Sequence, residues 1–447
     1  MNTLLSVIDV AGLVLFVLYI VQQIVSALMP RPRPPVAGPE SGIGITFLIP
    51  ALNEQDVLAD TLDNLRAVVP DARVVVIDDA SDDATPAIVA AHARRDPGVL
   101  HLRREFPEAR QNKGKAMNWA VARLLKHEGW AGRDLTREVF VVMDADGRVE
   151  GDFAPQVRGA FLNPDVMAAQ GWMRFRHTGI PRGRGGVLAH MLLFQQDLET
   201  FITGHIQRAR AWGGAASLTG NGQCMRVSYL DSQLRAGTPP WPDVLLEDFA
   251  SAVQIRLADP RYRIALLTAR VGQQGLLDLP SLIKQRSRWT QGAMQCLPYL
   301  RGLWTRPMNP VVRLDFSYFV LAPWLNLILI LSIVSQPLRR LFGWQGLALP
   351  GWVGTALTVL PLAMQLNWAL RYRLDRRLGW WSVPYTLASL PAYSAALLAS
   401  LPRAYRNFFT GQNAWYKSER HAEDTAAAPG VREDETAEAT GELSRRH

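Results

Sequence analysis

Cysteine is almost missing from this chain: Cys224 and Cys296 are the only two in 447 residues. They lie far apart, share no CxxC spacing and have no histidines beside them. Neither a disulfide framework nor a zinc cluster is predicted, and a catalytic domain in a reducing compartment is consistent with that. Lysine is scarce too, with five in the whole chain, so nearly all of the positive charge is arginine. The formal charge is +8 and the isoelectric point about 9.7, which favours anionic partners such as nucleotide phosphates or anionic lipid. Basic residues never interleave with aromatics in a stripe, so nucleic acid is not an expected partner. The long apolar runs carry almost no charge, which argues against a transport path through them.

Those runs set the organisation. Residues 4–29 are almost continuously apolar and long enough to cross a bilayer. The run lacks a basic start and a small-residue cleavage site, so a retained helix over 1–30 is expected rather than a signal peptide. PRPRPP (30–35) follows, and its arginines place that side in the cytosol. Three further apolar stretches, 316–334, 352–370 and 383–401, predict a C-terminal membrane region over 313–405. Arginine-rich segments flank the last of these (371–380 and 403–409), and both cannot be cytosolic if it crosses once. Pro384, Pro391 and Pro402 suggest a kinked or re-entrant segment there. The tail over 421–447 is rich in Ala, Glu, Asp and Thr, and disorder is expected.

Between the apolar ends, strand and helix patterns alternate over 43–270. ITFLIP (45–50), ARVVVIDDA (72–80) and EVFVVMDAD (138–146) are short β-branched runs, separated by helical patterns over 54–69, 83–95 and 115–128. Such repetition predicts an α/β fold with a mostly parallel sheet, which binds ligands at the carboxyl ends of its strands. All three runs end in Asn/Glu, Asp-Asp or Asp-x-Asp, so acidic groups gather on one rim.

Asp144 and Asp146, one residue apart after a buried strand, can face a hard cation shared with substrate phosphates, and two solvated loop acids are the plainer alternative. Asp78 and Asp79 arrive at the same rim, where adjacent carboxylates repel unless something uses them. Ser81, Asp82 or Asp83 can cap the next helix. Pro50, Asn53 and Glu54 can hydrogen-bond a nucleoside. Lys113 and Lys115 flank Gly114, a place for phosphates or simply a solvated basic loop. Gln285, Arg288 and Trp289 follow i, i+3, i+4 spacing and share a helix face, which suits an acceptor sugar and a diphosphate or an interfacial anchor.

Taken in order, PxxNE, VxxDDxS, KxxxxN, DxD, a Glu-Asp pair and QxxRW resemble the family 2 inverting glycosyltransferases. The membrane-bound branch holding cellulose, chitin, hyaluronan and poly-N-acetylglucosamine synthases and glucosyl-diacylglycerol synthases is the nearest likeness, over about 43–300. The resemblance implies a GT-A-like nucleotide-sugar-binding domain over 43–270, interfacial amphipathic helices over 271–312, and membrane helices at both ends. It assigns Glu54, Asp78, Asp79, Lys113 and Asp144 to the UDP-sugar donor, Asp146 to Mg2+ or Mn2+, and Asp248 to the catalytic base. Glu247, Gln285, Arg288 and Trp289 fall to the acceptor and diphosphate, with Asn221 and Gln223 on an acceptor-approach loop. The implied product is a β-linked polysaccharide made at the cytosolic face of a bacterial plasma membrane. Glycolipid synthesis on diacylglycerol or a polyprenyl lipid is the alternative acceptor chemistry, and a non-catalytic nucleotide-binding or transport subunit the remote one. Accessory subunits are left open. The chain departs from the family pattern where Leu246 replaces a threonine, where VGQQGLLDLP replaces a glutamate-proline stretch, and where the cellulose synthase gating-loop signature and C-terminal regulatory domain are missing.

Overall fold

The computed structural model describes residues 2–126, 128–130, 132–343, 350–412 and 420–422. The expected tail from 423 onward lies outside these described residues.

Helix α1 (Asn2–Leu28) leads into strand β1 (Gly44–Ala51), α2 (Leu58–Val68), β2 (Arg73–Asp78), α3 (Thr85–Arg95), β3 (Val99–Arg103), α4 (Lys113–Leu124) and β4 (Glu138–Val142). The second half of the domain runs through β5 (Arg148–Val149), α5 (Phe153–Phe161), β6 (Val166–Arg176), the long α6 (Arg184–Trp212), β7 (Gln223–Arg226), α7 (Val227–Arg235), α8 (Glu247–Ala258) and β8 (Arg263–Gln274). Helices complete the chain: α9 (Leu279–Gln295), α10 (Tyr299–Thr305), α11 (Pro310–Phe342), α12 (Gly351–Asp375) and α13 (Ser382–Phe409).

One eight-stranded sheet has the order β3-β2-β1-β4-β7-β6-β8-β5. The β3-β2-β1-β4 half is parallel, as its strand–helix alternation requires, because parallel neighbours need crossover connections. Strand β7 runs antiparallel to both β4 and β6, while β6 and β8 are parallel. The β-branched centres of β1, β2 and β4 are buried on both faces: Phe47, Leu48, Ile49, Val74, Val76 and Phe140 are all at 0% exposure. Truncating Phe47 to alanine there should cost about 3–5 kcal/mol.

Register decides what the site receives. Ala51 lies opposite Asp78 and Leu48 opposite Val142, so β1 and β2 end level with each other. The Met143 amide still donates to the Leu48 carbonyl, which delivers Asp144–Asp146 just past the same rim. The sheet continues to Gln274, beyond the expected end at 270, because the VGQQ stretch pairs with β6, and its Val271 and Gly272 with β5.

Among the described residues three helices are long and apolar enough to cross a membrane: Leu5–Leu28, Pro310–Gln336 and Gly351–Asp375. The fourth apolar run, α13, is not among them. Pro391 and Pro402 lie inside it, and its buried stripe is partly polar (Ser382, Thr386, Ser389, Ser400). That stripe faces protein: Gln195 of α6 donates to Ser389 Oγ, and Ser287 of α9 donates to the Ser400 carbonyl. Helix α13 thus lies along α9 and α6, and the arginines at its two ends need not be on opposite sides of a bilayer.

Candidate active site

The loop after β4 is a tight turn, closed by the Gly147 amide donating to the Asp144 carbonyl at 2.8 Å. The Asp144 amide donates to Asn221 Oδ1 at 3.1 Å, and its carboxylate meets Lys113 Nζ at 2.5 Å. Burial acts to raise Asp144, but Lys113, Arg420 and Arg288 outweigh it and hold the carboxyl below its ordinary range. Lys113 opens α4, where the Asn112 side chain caps the helix by accepting from the Lys115 amide at 2.8 Å. Lys115 itself pairs outward with Asp243 at 3.0 Å.

Asp146 is fully buried. Its Oδ2 accepts from the Gln274 amide at 2.6 Å; its Oδ1 has no hydrogen-bond partner and faces Arg420 Nη2 at 3.4 Å. The Gln274 side chain holds that chain segment from both sides, donating to the His421 carbonyl at 2.7 Å and accepting from the His421 amide at 3.0 Å. Burial acts to lower the Arg420 guanidinium, and Asp146, Asp144 and Glu54 outweigh it, keeping it firmly charged. The site therefore places an arginine from beyond α13 against the second aspartate of the DxD pair.

Across the cavity, Glu247 and Asp248 form the first turn of α8. Burial raises the Glu247 carboxyl. Burial and then the Glu247 charge push Asp248 up to about 7. Asp248 Oδ1 accepts from the Phe249 amide at 2.7 Å. Its Oδ2 lies against Gly220, where an added Cβ would sit 3.3 Å away; with φ +89 this glycine is required on conformational grounds as well. Asn221, next in the loop, ties this side to Asp144. Gln223, by contrast, is buried within β7 and away from the cavity.

Helix α9, capped by Asp278, presents Gln285, Arg288 and Trp289 to the same space. Arg288 lies in the field of Glu247, Asp144 and Asp248. Trp289 is backed by the Arg286 guanidinium 4.1 Å from its ring centroid, and Arg286 is fixed by Glu199 at 2.7 Å. A cavity of about 360 Å³ joins Lys113, Asp144, Glu247, Asp248, Gln285, Arg288, Trp289 and Arg420.

Glu54, Asp78 and Asp79 do not line that cavity. Asp78 is fully buried and used by its own surroundings: Oδ1 accepts from the Ser81 amide at 2.8 Å, and Oδ2 meets Arg103 at 2.8 Å and His101 at 3.2 Å. That geometry makes it an anchor of the β2 loop rather than an open ligand. Asp79 pairs with buried Arg104 at 2.7 Å, beside the end of β1. The Asn53 amide donates to Ser81 Oγ, and the Glu54 amide to Thr85 Oγ1. Ser81 and Asp82 thus brace the first loop instead of capping α3; only Asp83 reaches that helix, through the Thr85 amide.

A second cavity, about 450 Å³, also reaches Asp248 and Trp289. Its walls are mainly apolar, with Trp172, Ile206, Phe249, Tyr318 and Phe319 contributed by β6, α6, α8 and α11. Sequence reasoning missed this space along with Arg420 and Glu199, because each depends on helices distant in the chain. The QQG stretch was a visible oddity, and Gln274 is where it matters.

Two family descriptions match the chain: Glycosyl transferase family 2 over residues 46–218 and Glycosyl transferase family group 2 over residues 139–372, more than half of its length. Among named relatives, a beta-monoglucosyldiacylglycerol synthase of Synechocystis is 27% identical over 289 residues, 63% of this chain and 54% of that protein. A poly-beta-1,6-N-acetyl-D-glucosamine synthase of Staphylococcus aureus is 24% identical over 303 residues, 64% of each chain. The chain spans about half the length of the beta-monoglucosyldiacylglycerol synthases it matches, 54% and 49%. In fold it is similar to a mannosyltransferase of Pyrobaculum calidifontis solved with GDP-mannose and Mn2+, with TM-score 0.55, 19% identity, and coverage of 91% of this chain and 99% of that one. With the GT-A sheet and the family match over the same residues, the chain belongs to the family 2 glycosyltransferases.

Proposed function

We propose that this protein is an inverting transferase that moves a hexose from a UDP-sugar to the hydroxyl of a membrane lipid at the cytosolic face of a bacterial plasma membrane. The observation that carries the acceptor assignment is the apolar cavity ending at Asp248 between α6, α8 and α11. A diacylglycerol or similar lipid alcohol could enter through such walls and present its hydroxyl to the base. A growing polysaccharide would need a long path between membrane helices, and among the described residues three helices are long and apolar enough to span. The polymer reading of the sequence therefore becomes the second one, favoured by the likeness to the staphylococcal synthase.

Asp248 takes the proton from the acceptor hydroxyl while that oxygen attacks the anomeric carbon and the bond to the diphosphate breaks. A carboxyl raised by burial is a stronger base than an ordinary aspartate, which suits this role. One displacement inverts the centre. Lys113 and Arg288 stand where the departing diphosphate's charge collects. Asp144 orients Lys113, Glu247 tunes Asp248, and Gln285 and Trp289 shape the sugar site. Glu54, Asp79 and the Asp78-anchored loop hold the uridine at the outer rim.

Asp146 fits a divalent cation: one buried carboxylate oxygen is unbonded, and the remaining ligands would come from substrate phosphates, as Mg2+ and Mn2+ prefer. Among the described residues no group of three or more acidic, histidine or cysteine side chains could hold an ion alone. When bound, the cation would offset charge on the leaving diphosphate. Helices α1, α11 and the first part of α12 are read as spans, with the arginines at 31, 33, 371 and 373 on the cytosolic side.

The deciding experiment incubates the detergent-purified chain with labelled UDP-glucose or UDP-N-acetylglucosamine and diacylglycerol. Label should move into the chloroform phase. Label found only in ethanol-insoluble polymer would overturn the lipid assignment, and no transfer to either would overturn the enzyme reading.

A further inference from the structure

A buried arginine without a counter-ion among the described residues lines neither cavity. Arg208, near the end of α6, is 5% exposed. Among the described residues its only hydrogen bond is a long one, 3.4 Å from Nη2 to the Ser26 carbonyl, and its Nε has no partner there. Three more buried polar atoms around it are equally unpartnered: Ser26 Oγ on α1, His205 Nδ1 one turn earlier on α6, and Asn367 Nδ2 on α12. The ring of His205 packs against Trp368 of α12, whose Nε1 donates to Gln23 of α1, so these elements meet at one place.

The charges that act on Arg208 are of one sign. Arg31 follows α1, and Arg371 lies one turn before the end of α12, bonded among the described residues only to Asn367 Oδ1 at 3.0 Å. Burial, then Arg31 and Arg371, keep the Arg208 guanidinium below its ordinary range; burial and the same three arginines push His205 down to about 3, so its ring is neutral. Among the described residues no carboxylate is within ion-pair distance of Arg208 or Arg371. Arg31 meets one acid, Asp375, at 4.0 Å, and that carboxylate is already shared with Arg270 and Arg376. An uncompensated buried guanidinium beside two others is strongly unfavourable, whereas a phosphate accepts from several arginines at once.

The geometry points to a phosphate-binding site formed by Arg31, Arg208 and Arg371, filled by the headgroup of an anionic phospholipid of the cytosolic leaflet. The commitment to lipid comes from position. Ser26 is two residues from the end of α1 and Arg371 four from the end of α12, so the cluster sits where both helices leave the apolar layer, and Arg31, with 79% of its side chain exposed, opens it outward. The apolar walls of α1 and α12 beside it would take acyl chains. This rests on α1 and α12 spanning the bilayer, which alkaline carbonate extraction of membranes reads independently. It does not depend on which acceptor is glycosylated.

The test uses the full chain in neutral detergent, with phosphatidylglycerol, phosphatidylcholine or inorganic phosphate added, reading the thermal midpoint and, by native mass spectrometry, retained lipid. Phosphatidylglycerol should raise the midpoint by several degrees and stay bound, and phosphatidylcholine should do neither. Arg208→Met and Arg371→Met should each lose that response. Without lipid Arg208→Met should be at least as stable as the parent, since an unpaired buried charge is gone, and UDP affinity should be unchanged. An equal response to both lipids, or a response retained in the variants, would overturn the site. Stabilisation by inorganic phosphate matching phosphatidylglycerol would overturn the lipid assignment in favour of a free-anion site.

Discussion

Two pairs of neighbouring carboxylates flank the site, and the protein treats them in opposite ways. Asp78 and Asp79 each have an arginine within 2.8 Å, and Asp78 also has a histidine and a backbone amide. Glu247 and Asp248 are half-buried, yet among the described residues no cation stands within ion-pair distance of either. The first pair is neutralised by its own fold and stiffens a loop. The second keeps uncompensated charge beside an open cavity, which is the condition for proton chemistry. Adjacent acids at the end of a strand or the start of a helix look alike in a sequence, and only their neighbours separate anchor from base.

The contrast can be broken most severely at Asp248. Asp248→Asn should lower turnover by about 10²–10⁴, the range for losing a general base, with UDP affinity by calorimetry nearly unchanged. Turnover close to the parent would remove Asp248 from the mechanism. A loss of comparable size is expected from chelation. Excess EDTA should abolish transfer and weaken UDP binding, and in Asp146→Asn the UDP affinity should become insensitive to EDTA. A metal response that persists in that variant would place the cation elsewhere.

The anchoring pair should respond through stability. Asp78→Asn weakens the hydrogen bonds that a fully buried carboxylate accepts from Arg103, His101 and the Ser81 amide, which costs about 1.5–3 kcal/mol. Urea unfolding should show that loss, whereas Glu247→Gln should unfold at or above the parent's midpoint because it relieves repulsion. If Asp78→Asn kept its stability and lost only transfer, the distinction between the pairs would fail.

The smallest effect is on pH. A base works when deprotonated, and Asp248 is raised to about 7, so kcat/KM should be level above that value and fall about tenfold per unit below it. Because the Glu247 charge is part of what raises Asp248, Glu247→Gln should move this edge to lower pH. An edge that stays in place would mean that Glu247 does not tune the base.

Much of the donor side was legible early. The runs at 45–50, 72–80 and 138–146 became β1, β2 and β4 within a few residues, since β-branched stretches bounded by polar turns have few other uses. Asp144, Lys113, Asp248, Arg288 and Trp289 meet around one cavity. Less legible were β6, β8 and the 29-residue α6, whose moderate hydrophobicity carries no clean period. The cap expected from Ser81 turned out to be a brace, because Asn53 was nearer than the helix end. Arg420 could not be foreseen: nothing local marks a lone arginine in a polar tail as the partner of Asp146.

By itself the sequence determined the family, the parallel half of the sheet, the apolar helices and the order of acidic motifs, because periodicity and short-range turn chemistry are written residue by residue. Tertiary structure alone decided which acids are neutralised and which remain charged, that α13 lies along α9, and that an apolar cavity reaches Asp248. Each of those depends on charges and walls brought together from segments up to a few hundred residues apart, and burial and Coulomb energy are set by distance in space, not along the chain.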